Sequence, residues 1–418
     1  MDCGQVVPPG LNCYSRVVRA PVVAPSTRIS DLRPTAVNAI LAEVREHQAR
    51  GQSLVSLMRG EPDLATPEHI VEACARALKA GRTAYPDNRG ELGFREAVAA
   101  KLHRDNGLQY HPATEIIATT GATFGIYTAL AALLNEGDEV LLPDPIYDAY
   151  YSPIRLCGGR IRSVTSKIEG LRFVITEEAL EAAISPAARV LILNTPWNPV
   201  GTVLTRAEIE IIARFCERHN LILLSDEIYE AITYGDAKHV SPPAAAQGLR
   251  ERCVLVNSLS KTYAMTGWRV GYCAGPASII QSMFMVLAQS SRGPATFIQD
   301  AAAEALGGSQ KCVAEMRTEY TKRREQVIAA LTGIPGVSVL PPEGGFFAML
   351  DVRGIGIPSN EIRVRLMQEH DVVVVHGAAY GPAGEGTLRV SFASGGAKLA
   401  SGLAALRAGL LQMKESRK

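Results

Sequence analysis

Between about residues 114 and 290, short apolar runs alternate with amphipathic segments, and this alternation limits the possible folds more than any other feature. The amphipathic segments include predicted helices over 122–134 and 205–219, the second of which begins with a Thr205-x-x-Glu208 capping box. Runs dense in Val, Ile and Leu are typical of strands buried on both faces. They cover residues 115–120, 139–143, 160–164, 190–194, 221–225, 254–257 and 270–274. Such strands alternating with helices predict an α/β fold, a largely parallel sheet with helices on both sides.

The pattern changes in the C-terminal part of the chain, where helices and strands no longer alternate one by one. The predicted helices there are 315–331, 360–369 and 397–414, and the predicted strands are 337–340, 346–352, 371–375 and 387–392. This mixture indicates a second, smaller α+β domain. Ligands in parallel sheets bind at the carboxyl ends of the strands, so we expect the chemistry in the first part.

Charge and cysteine content exclude several classes of protein. Lys and Arg number 43 against 42 Asp and Glu, a net charge of +1, which argues against nucleic-acid or membrane-surface binding through a bulk field. The longest apolar runs, such as 283–288 and 372–375, are too short to span a bilayer. The eight cysteines form no C-x-x-C pair and no histidine cluster joins them, so we expect no metal site, no disulfides and a reducing cytoplasm.

One lysine stands where chemistry is expected. Ser258-Leu259-Ser260-Lys261 directly follows the predicted strand 254–257. A lysine held in a short turn after a buried strand is partly desolvated, and desolvation lowers the pKa of an amine and favours Schiff-base formation. A lone S-x-S-K is also typical of a surface lysine beside structural serines, so this segment needs support from elsewhere in the chain.

That support comes from four linked motifs in one order, which resemble those of the class I/II aminotransferases. They are N-T-P-W-N-P-V-G at 194–201, S-D-E-I-Y at 225–229, the lysine segment at 258–271 and G-E-G-T-L-R-V-S-F at 384–392. The similarity covers roughly residues 27–413. These aminotransferases are fold-type I enzymes that depend on pyridoxal 5'-phosphate (PLP).

The resemblance implies a definite domain plan. It predicts a large PLP-binding domain with a mostly parallel seven-stranded sheet, together with a smaller α+β domain that is split in sequence. Residues 1–30 would form an N-terminal arm and 31–60 the first part of the small domain. Residues 61–305 would form the large domain, and 306–418 the rest of the small domain.

The resemblance also assigns the groups around the cofactor ring. Lys261 would form the Schiff base and later move the substrate proton, and Asp226 would pair with the pyridine nitrogen. Tyr229 and Asn198 would donate hydrogen bonds to the phenolate oxygen, although Val200 replaces the usual threonine beside Asn198. Tyr147 would stack on the ring. Without the other motifs, Asp226 would read as a polar strand end, Asn198 as a turn residue, and either tyrosine as a core residue.

The cofactor phosphate needs an anion site, and a helix start can supply one. Gly121-Ala122-Thr123 joins a predicted strand to a helix, which by itself is also typical of a plain N-cap. The family adds side chains from the lysine segment, namely Ser258, Ser260 and Arg269. It also adds Tyr85 from the neighbouring subunit, which implies a homodimer with shared active sites. An exposed loop tyrosine is the alternative for Tyr85.

The remaining assignments concern the substrate. Arg389 would hold the α-carboxylate, because a planar guanidinium suits bidentate carboxylate recognition. Gly60 lies in the loop that the family closes over the substrate, and the resemblance also counts Asn198 among the substrate-binding residues. The roles of Arg59, Arg292 and His376 stay open: the two arginines fit a substrate carboxylate or a solvated surface equally well, and His376 fits packing better.

Together these features predict a PLP-dependent aminotransferase that moves an amino group between an L-amino acid and a 2-oxo acid by a ping-pong mechanism. Another PLP reaction on the same fold, by a lyase, cyclase or oxidase, is the alternative, because fold does not fix reaction. A regulator that carries an aminotransferase-like domain would need a DNA-binding domain, and residues 1–30 are too short and Pro-rich for one. The amino donor and the oxo-acid acceptor are not identified.

Overall fold

The computed structural model describes residues 26–30 and 32–416; residues 1–25 of the predicted N-terminal arm lie outside the described part. The described residues up to Leu32 form a unit of their own with one 3-10 turn, Thr27–Ile29. In that turn the Ser26 hydroxyl accepts a hydrogen bond from the backbone N–H of Arg28 at 3.3 Å. A second unit begins at Arg33 and contains all of the helices and strands given below.

The second unit is built from α-helices and β-strands. The helices are α1 (Ala36–Ala49), α2 (Glu68–Lys79), α3 (Leu92–Asn106), α4 (Ala122–Leu133), α5 (Tyr151–Leu156), α6 (Glu177–Ala183), α7 (Arg206–Arg218), α8 (Pro242–Ala245), α9 (Ala277–Ala288), α10 (Thr296–Gly307), α11 (Lys311–Leu331), α12 (Ser359–His370) and α13 (Gly396–Glu415). The strands are β1 (Val55–Ser56), β2 (Ile116–Thr119), β3 (Glu139–Asp144), β4 (Arg160–Thr165), β5 (Lys167–Glu169), β6 (Arg172–Val174), β7 (Ala188–Asn194), β8 (Ile222–Asp226), β9 (Cys253–Ser258), β10 (Gly271–Ala274), β11 (Ser338–Leu340), β12 (Phe347–Asp351), β13 (Val372–Val373), β14 (Val375–His376) and β15 (Thr387–Ser391).

The seven predicted strands form one sheet in the order β2-β10-β9-β8-β7-β3-β4. Neighbours are parallel except β10, which runs antiparallel to both β2 and β9. Val254 and Val256 of β9 face a core cluster shared with α4, α7 and α9, whereas Leu255 faces a cluster shared with α2, α3 and α10. The prediction of a mostly parallel sheet covered on both faces is therefore confirmed.

The predicted start of helix α7 is present in full. Thr205 is the N-cap, and its hydroxyl accepts a hydrogen bond from the backbone N–H of Glu208 at 3.3 Å. The Glu208 carboxylate accepts one in return from the backbone N–H of Thr205 at 2.8 Å. The two residues thus satisfy both ends of a capping box.

The C-terminal part builds a second, antiparallel sheet in the order β11-β12-β15-β14, packed with α11, α12 and α13 around a separate core cluster. The predicted strand 371–375 is in fact two strands. Val372–Val373 pairs in parallel with β1, and Val375–His376 pairs with β15, because the chain crosses from one sheet to the other at Val374. The β1 pairing ties residues 55–56 to the C-terminal part; the domain boundaries themselves stay predictions.

No helix within the described residues is long and apolar enough to cross a membrane. The described cysteines are all free thiols, at positions 74, 157, 216, 253, 273 and 312.

Candidate active site

A cavity of about 340 Å³ opens at the carboxyl ends of β7, β8 and β9, beside the first turn of α4. This is the edge at which the sequence predicted the chemistry. All of the predicted site residues line the cavity except Gly121 and Tyr85. The lining ones are Gly60, Ala122, Thr123, Tyr147, Asn198, Asp226, Tyr229, Ser258, Ser260, Lys261, Arg269 and Arg389.

Lys261 lies in the turn that follows β9 and is partly buried. Its Nζ donates a hydrogen bond to the backbone carbonyl of Gly60 at 2.6 Å, which joins the lysine to the loop predicted to cover the substrate. Burial lowers the pKa of the Lys261 amine to about 8, while the nearby carboxylate of Glu61 acts in the opposite direction. A much larger fraction of this amine is therefore neutral, and so nucleophilic, near neutral pH than of an ordinary lysine.

Asp226 is the last residue of β8 and is buried at the floor of the cavity. Its carboxylate accepts hydrogen bonds from the Tyr150 hydroxyl at 2.6 Å and from the backbone N–H of Ile228 at 3.2 Å. Burial raises the pKa of Asp226 to about 6, and the Tyr150 hydrogen bond opposes this rise. A buried carboxylate of this kind suits a cationic N–H partner, which would favour its charged form.

Tyr150 could not be predicted, because nothing in a run of tyrosines distinguishes a core ring from one that orients a carboxylate.

Asn194 belongs to the first motif, which by itself predicts no role for it. It is aligned with Asp226 across β7 and β8, and its amide donates to the Asp226 backbone carbonyl at 3.0 Å. Its side-chain oxygen accepts from the backbone N–H of Asn198 at 2.7 Å. Asn194 thus fixes both residues against the same strand end.

Tyr229 and Asn198 lie on the wall between Asp226 and the small sheet. Tyr229 is 4% exposed and packs edge-on against Phe346, with ring centroids 5.4 Å apart. The Asn198 side-chain oxygen accepts a hydrogen bond from Arg389 Nη1 at 3.2 Å, which leaves the Asn198 amide N–H groups free to act as donors in the cavity.

The first turn of α4 offers free backbone N–H groups to the cavity. The helix begins at Gly121 with no side-chain cap, so its first backbone N–H groups are not occupied by a side chain. Gly121 has φ of +82°, which favours glycine, and a Cβ at this position would lie 2.5 Å from Arg269 Nη2, so a larger residue would be strained and would displace the guanidinium. Arg269 itself has φ of +55°, and its Nη1 donates to the Thr266 carbonyl at 2.9 Å. Free N–H groups, a helix dipole and a guanidinium together favour a phosphate.

Arg389 projects from β15 and is 2% exposed. Its Nη2 donates to the Met58 carbonyl at 3.1 Å, and its guanidinium carbon lies 4.2 Å from the ring centroid of Phe347 and 4.8 Å from that of Tyr380. Its Nε is buried and has no partner, and no carboxylate of the described residues forms an ion pair with this guanidinium. A buried positive charge without a counter-ion is costly, so this position suits a ligand carboxylate.

The residues with open roles lie elsewhere. Tyr85 is 85% exposed, and the guanidinium carbon of Arg292 lies 5.3 Å from its ring centroid. Arg59 pairs with Glu61 at 3.1 Å. His376 is not among the cavity-lining residues; burial lowers its pKa, and its backbone pairs with Leu388 of β15.

The start of α1 also lines the cavity, through Thr35, Val37 and Asn38, and the sequence did not point to it. It is held there by Asp148, whose carboxylate accepts a hydrogen bond from the backbone N–H of Ala36 at 2.5 Å. These residues lie far from every motif in sequence and only the tertiary fold brings them to the site.

Comparison with known proteins agrees with this geometry. The family model "Aminotransferase class I and II" matches residues 52–405. An aspartate aminotransferase from Geobacillus stearothermophilus is 36% identical over 375 residues, which are 88% of this chain and 94% of that protein. An aromatic-amino-acid aminotransferase from Thermococcus litoralis is 41% identical over 350 residues, 83% of this chain and 89% of that protein.

The fold comparison gives the same answer. The crystal structure of an aromatic aminotransferase from Pyrococcus horikoshii superposes with a TM-score of 0.83 at 40% identity, covering 87% of this chain and 96% of that one. The resemblance seen in the four motifs is thus confirmed over most of the chain, as is the expectation of amino-acid transamination. The chain belongs to the class I and II aminotransferase family and is an amino-acid transaminase.

Proposed function

We propose that the cavity binds PLP and that the chain transfers amino groups through it, with the roles that the motifs suggest. The observation that carries the proposal is the arrangement of three unlike groups around one cavity. They are the partly neutral amine of Lys261, the buried carboxylate of Asp226 and the uncapped start of α4 beside Arg269. An aldehyde, a pyridine nitrogen and a phosphate are the groups of PLP that these three would recognise.

The remaining groups of the cofactor also find partners. Tyr229 and Asn198 supply donors for the phenolate oxygen, and Tyr147 supplies a ring to stack on the pyridine. Ser258 and Ser260 supply hydroxyls to the phosphate beside Ala122 and Thr123. When bound, PLP supplies an electron sink for the electron pair released at the substrate Cα.

Lys261 would first hold the cofactor covalently and then move the proton. The same amine, when free, would move the proton at the substrate Cα, because its lowered pKa suits both the removal and the return of a proton near neutral pH. The Gly60 carbonyl, which now accepts a hydrogen bond from this amine, would orient it in both states.

Arg389 would orient the substrate by binding its α-carboxylate through guanidinium N–H groups, of which the buried Nε–H has no partner in the protein. The packing of this side chain between Phe347 and Tyr380 fixes the plane of the guanidinium. A substrate held this way would lie in the cavity that Lys261 also lines, where its Cα–H could be reached by the amine.

We also propose a homodimer in which Tyr85 reaches the phosphate of the partner subunit. The support is that Tyr85 is 85% exposed and contacts the Arg292 guanidinium through its ring, so most of this large aromatic side chain is open to a second subunit. The free thiols support a reducing compartment such as the cytoplasm.

A half-reaction tests the proposal. The PLP-loaded enzyme, given an amino acid but no oxo acid, should produce about one equivalent of 2-oxo acid per site together with pyridoxamine phosphate, and a second oxo acid should restore turnover with parallel double-reciprocal lines. A panel of aspartate, phenylalanine and leucine against 2-oxoglutarate and pyruvate would then identify the donor and acceptor. Sustained ammonia release without an acceptor would instead indicate a lyase or oxidase.

A further inference from the structure

A second cavity, of about 440 Å³, lies behind the wall of the active site, and Ser258 lines both. It contains a buried carboxylate, Glu230, whose side chain is 10% exposed. Glu230 accepts hydrogen bonds from the Lys101 amine, from the Asn106 amide at 2.8 Å and from the Asn257 amide at 2.6 Å. Burial alone would raise the pKa of Glu230, but the charge of Lys101 contributes to a net lowering, so the carboxylate stays ionised.

The partner of Glu230 in this network is a lysine that is also buried. Lys101 belongs to α3 and is itself only 6% exposed, and lysine is seldom buried without a partner. Glu227, Glu230 and His239 bring ligand-type atoms within 4.8 Å of one another, but the Glu227 and Glu230 oxygens already accept hydrogen bonds from protein donors, including Ser241. We therefore treat the cluster as a hydrogen-bond network and not as a metal site.

The network ends at the lysine loop of the active site. The Asn257 side-chain oxygen accepts from the backbone N–H of Ser258 at 2.7 Å, and the Ser258 hydroxyl accepts from the backbone N–H of Ser260 at 3.2 Å. All three residues are at most 5% exposed. Lys261 is the next residue, so the polar chain from Glu230 stops where the phosphate site and the catalytic amine begin.

The orientation of the Asn257 side-chain amide decides whether this series of hydrogen bonds can form. A carboxylate only accepts hydrogen bonds, so Glu230 requires the NH₂ group of Asn257 to face it. The Asn257 oxygen must then face the N–H of Ser258, which needs an acceptor. An acceptor-only group at position 230 thus selects the amide orientation that fixes the backbone of the loop.

We propose that Glu230 is a positioning residue for the cofactor phosphate, acting through Asn257 on the loop that carries Ser258 and Ser260. The inference rests on the phosphate site proposed above. Glu230 does not line the active-site cavity, so its effect should appear selectively in the recognition of the phosphate.

Two ligands that differ only in the phosphate separate positioning from general stability. In equilibrium titrations of the apoenzyme, Glu230→Gln should weaken PLP binding about 10-fold, the scale on which outer-layer partners change ligand affinity, and should leave pyridoxal binding unchanged. Asn257→Ala should behave in the same way. The double variant should be no weaker than Asn257→Ala alone, because both substitutions break one chain.

Two further variants complete the experiment. Glu208→Gln is the matched control, because Glu208 is another poorly exposed glutamate, paired with Arg172 at 2.7 Å, away from the cavity. This variant should not change the affinity for PLP relative to that for pyridoxal. Arg269→Gln tests the phosphate site itself and should weaken PLP but not pyridoxal. Suppose that Arg269→Gln weakens PLP binding but not pyridoxal binding. If Glu230→Gln then changes neither affinity, or weakens both equally, the positioning role of Glu230 is overturned. If Arg269→Gln shows no selective loss, the phosphate site fails, and the inference fails with it.

Discussion

Lys261 and Arg389 are both basic and both face the cavity, but their surroundings give them different chemistry. Lys261 is an amine whose charge responds to burial, and burial brings its pKa to about 8. Arg389 keeps its charge even when it is 2% exposed, because a guanidinium does not deprotonate in proteins. The first residue is therefore suited to a reaction that needs a neutral nucleophile, and the second to permanent recognition of an anion.

The lowered pKa of Lys261 makes the capture of the cofactor pH-dependent. Only the neutral amine attacks an aldehyde, so the rate at which the apoenzyme captures PLP should rise with pH, with a midpoint near pH 8, and level off above about pH 9. An unperturbed lysine would give a midpoint near 10.5. Stopped-flow absorbance would measure the profile, and a rate that still rises steeply above pH 9 would contradict the assigned environment.

Loss of Arg389 should affect the substrate and spare the cofactor. Arg389→Ala removes the only proposed partner of the α-carboxylate, and we expect kcat/KM for amino acids to fall by about 100-fold or more, on the order of 3 kcal/mol. Arg363→Ala is a matched control, because Arg363 is a buried arginine of the same part of the chain, paired with Glu43 at 2.8 Å and absent from the cavity lining. Equal losses of kcat/KM in the two variants would show that Arg389 does not bind the substrate carboxylate.

At the scale of elements, the chain shows where sequence reasoning succeeds. The α7 capping box can be predicted because its two residues lie three positions apart and make their hydrogen bonds locally. The strands of the large sheet can be predicted because they are apolar on both faces. The split of 371–375 into β13 and β14 cannot be predicted, because an unbroken run of valines does not indicate that the chain changes sheets at Val374.

The same distinction applies to the site. Lys261, Asp226 and Arg389 lie in dense local motifs and were predicted, and the structure brings them to one cavity. Tyr150 and the start of α1 reach the same cavity only through tertiary contacts. The network around Glu230 could not be predicted for the same reason, because Lys101, Glu230 and Asn257 come from three separate parts of the chain.

Helix α7 provides a stability prediction that is independent of catalysis. Thr205→Ala removes the N-cap oxygen and should lower the free energy of unfolding by about 1 kcal/mol, while Thr205→Ser keeps the oxygen and should cost much less. Because Thr205 does not line the cavity, kcat and KM should not change. Chemical denaturation followed by circular dichroism would measure both variants, and equal losses would show that the hydroxyl does not act as the cap.

At the scale of the whole molecule, the proposed homodimer makes a prediction that no single subunit can. In a hybrid of Lys261→Ala and Tyr85→Ala subunits, a crossed contribution of Tyr85 places both defects in one site and leaves the other site intact. Mixed and re-associated subunits should then recover up to about half of the wild-type activity per dimer. If Tyr85 acts within its own subunit, every site of the hybrid carries a defect, and no recovery should appear above the activity of the Tyr85→Ala parent.

The central claim is that Lys261 is the residue that holds PLP, and covalent trapping tests it most directly. The PLP-loaded enzyme is reduced with borohydride, digested and mapped by mass spectrometry. We expect the pyridoxyl phosphate adduct on Lys261 at about one per subunit and none in Lys261→Ala, with Lys101, a buried and ion-paired lysine, unmodified in both. An adduct on another lysine, or a trapped cofactor that persists in Lys261→Ala, would contradict the account.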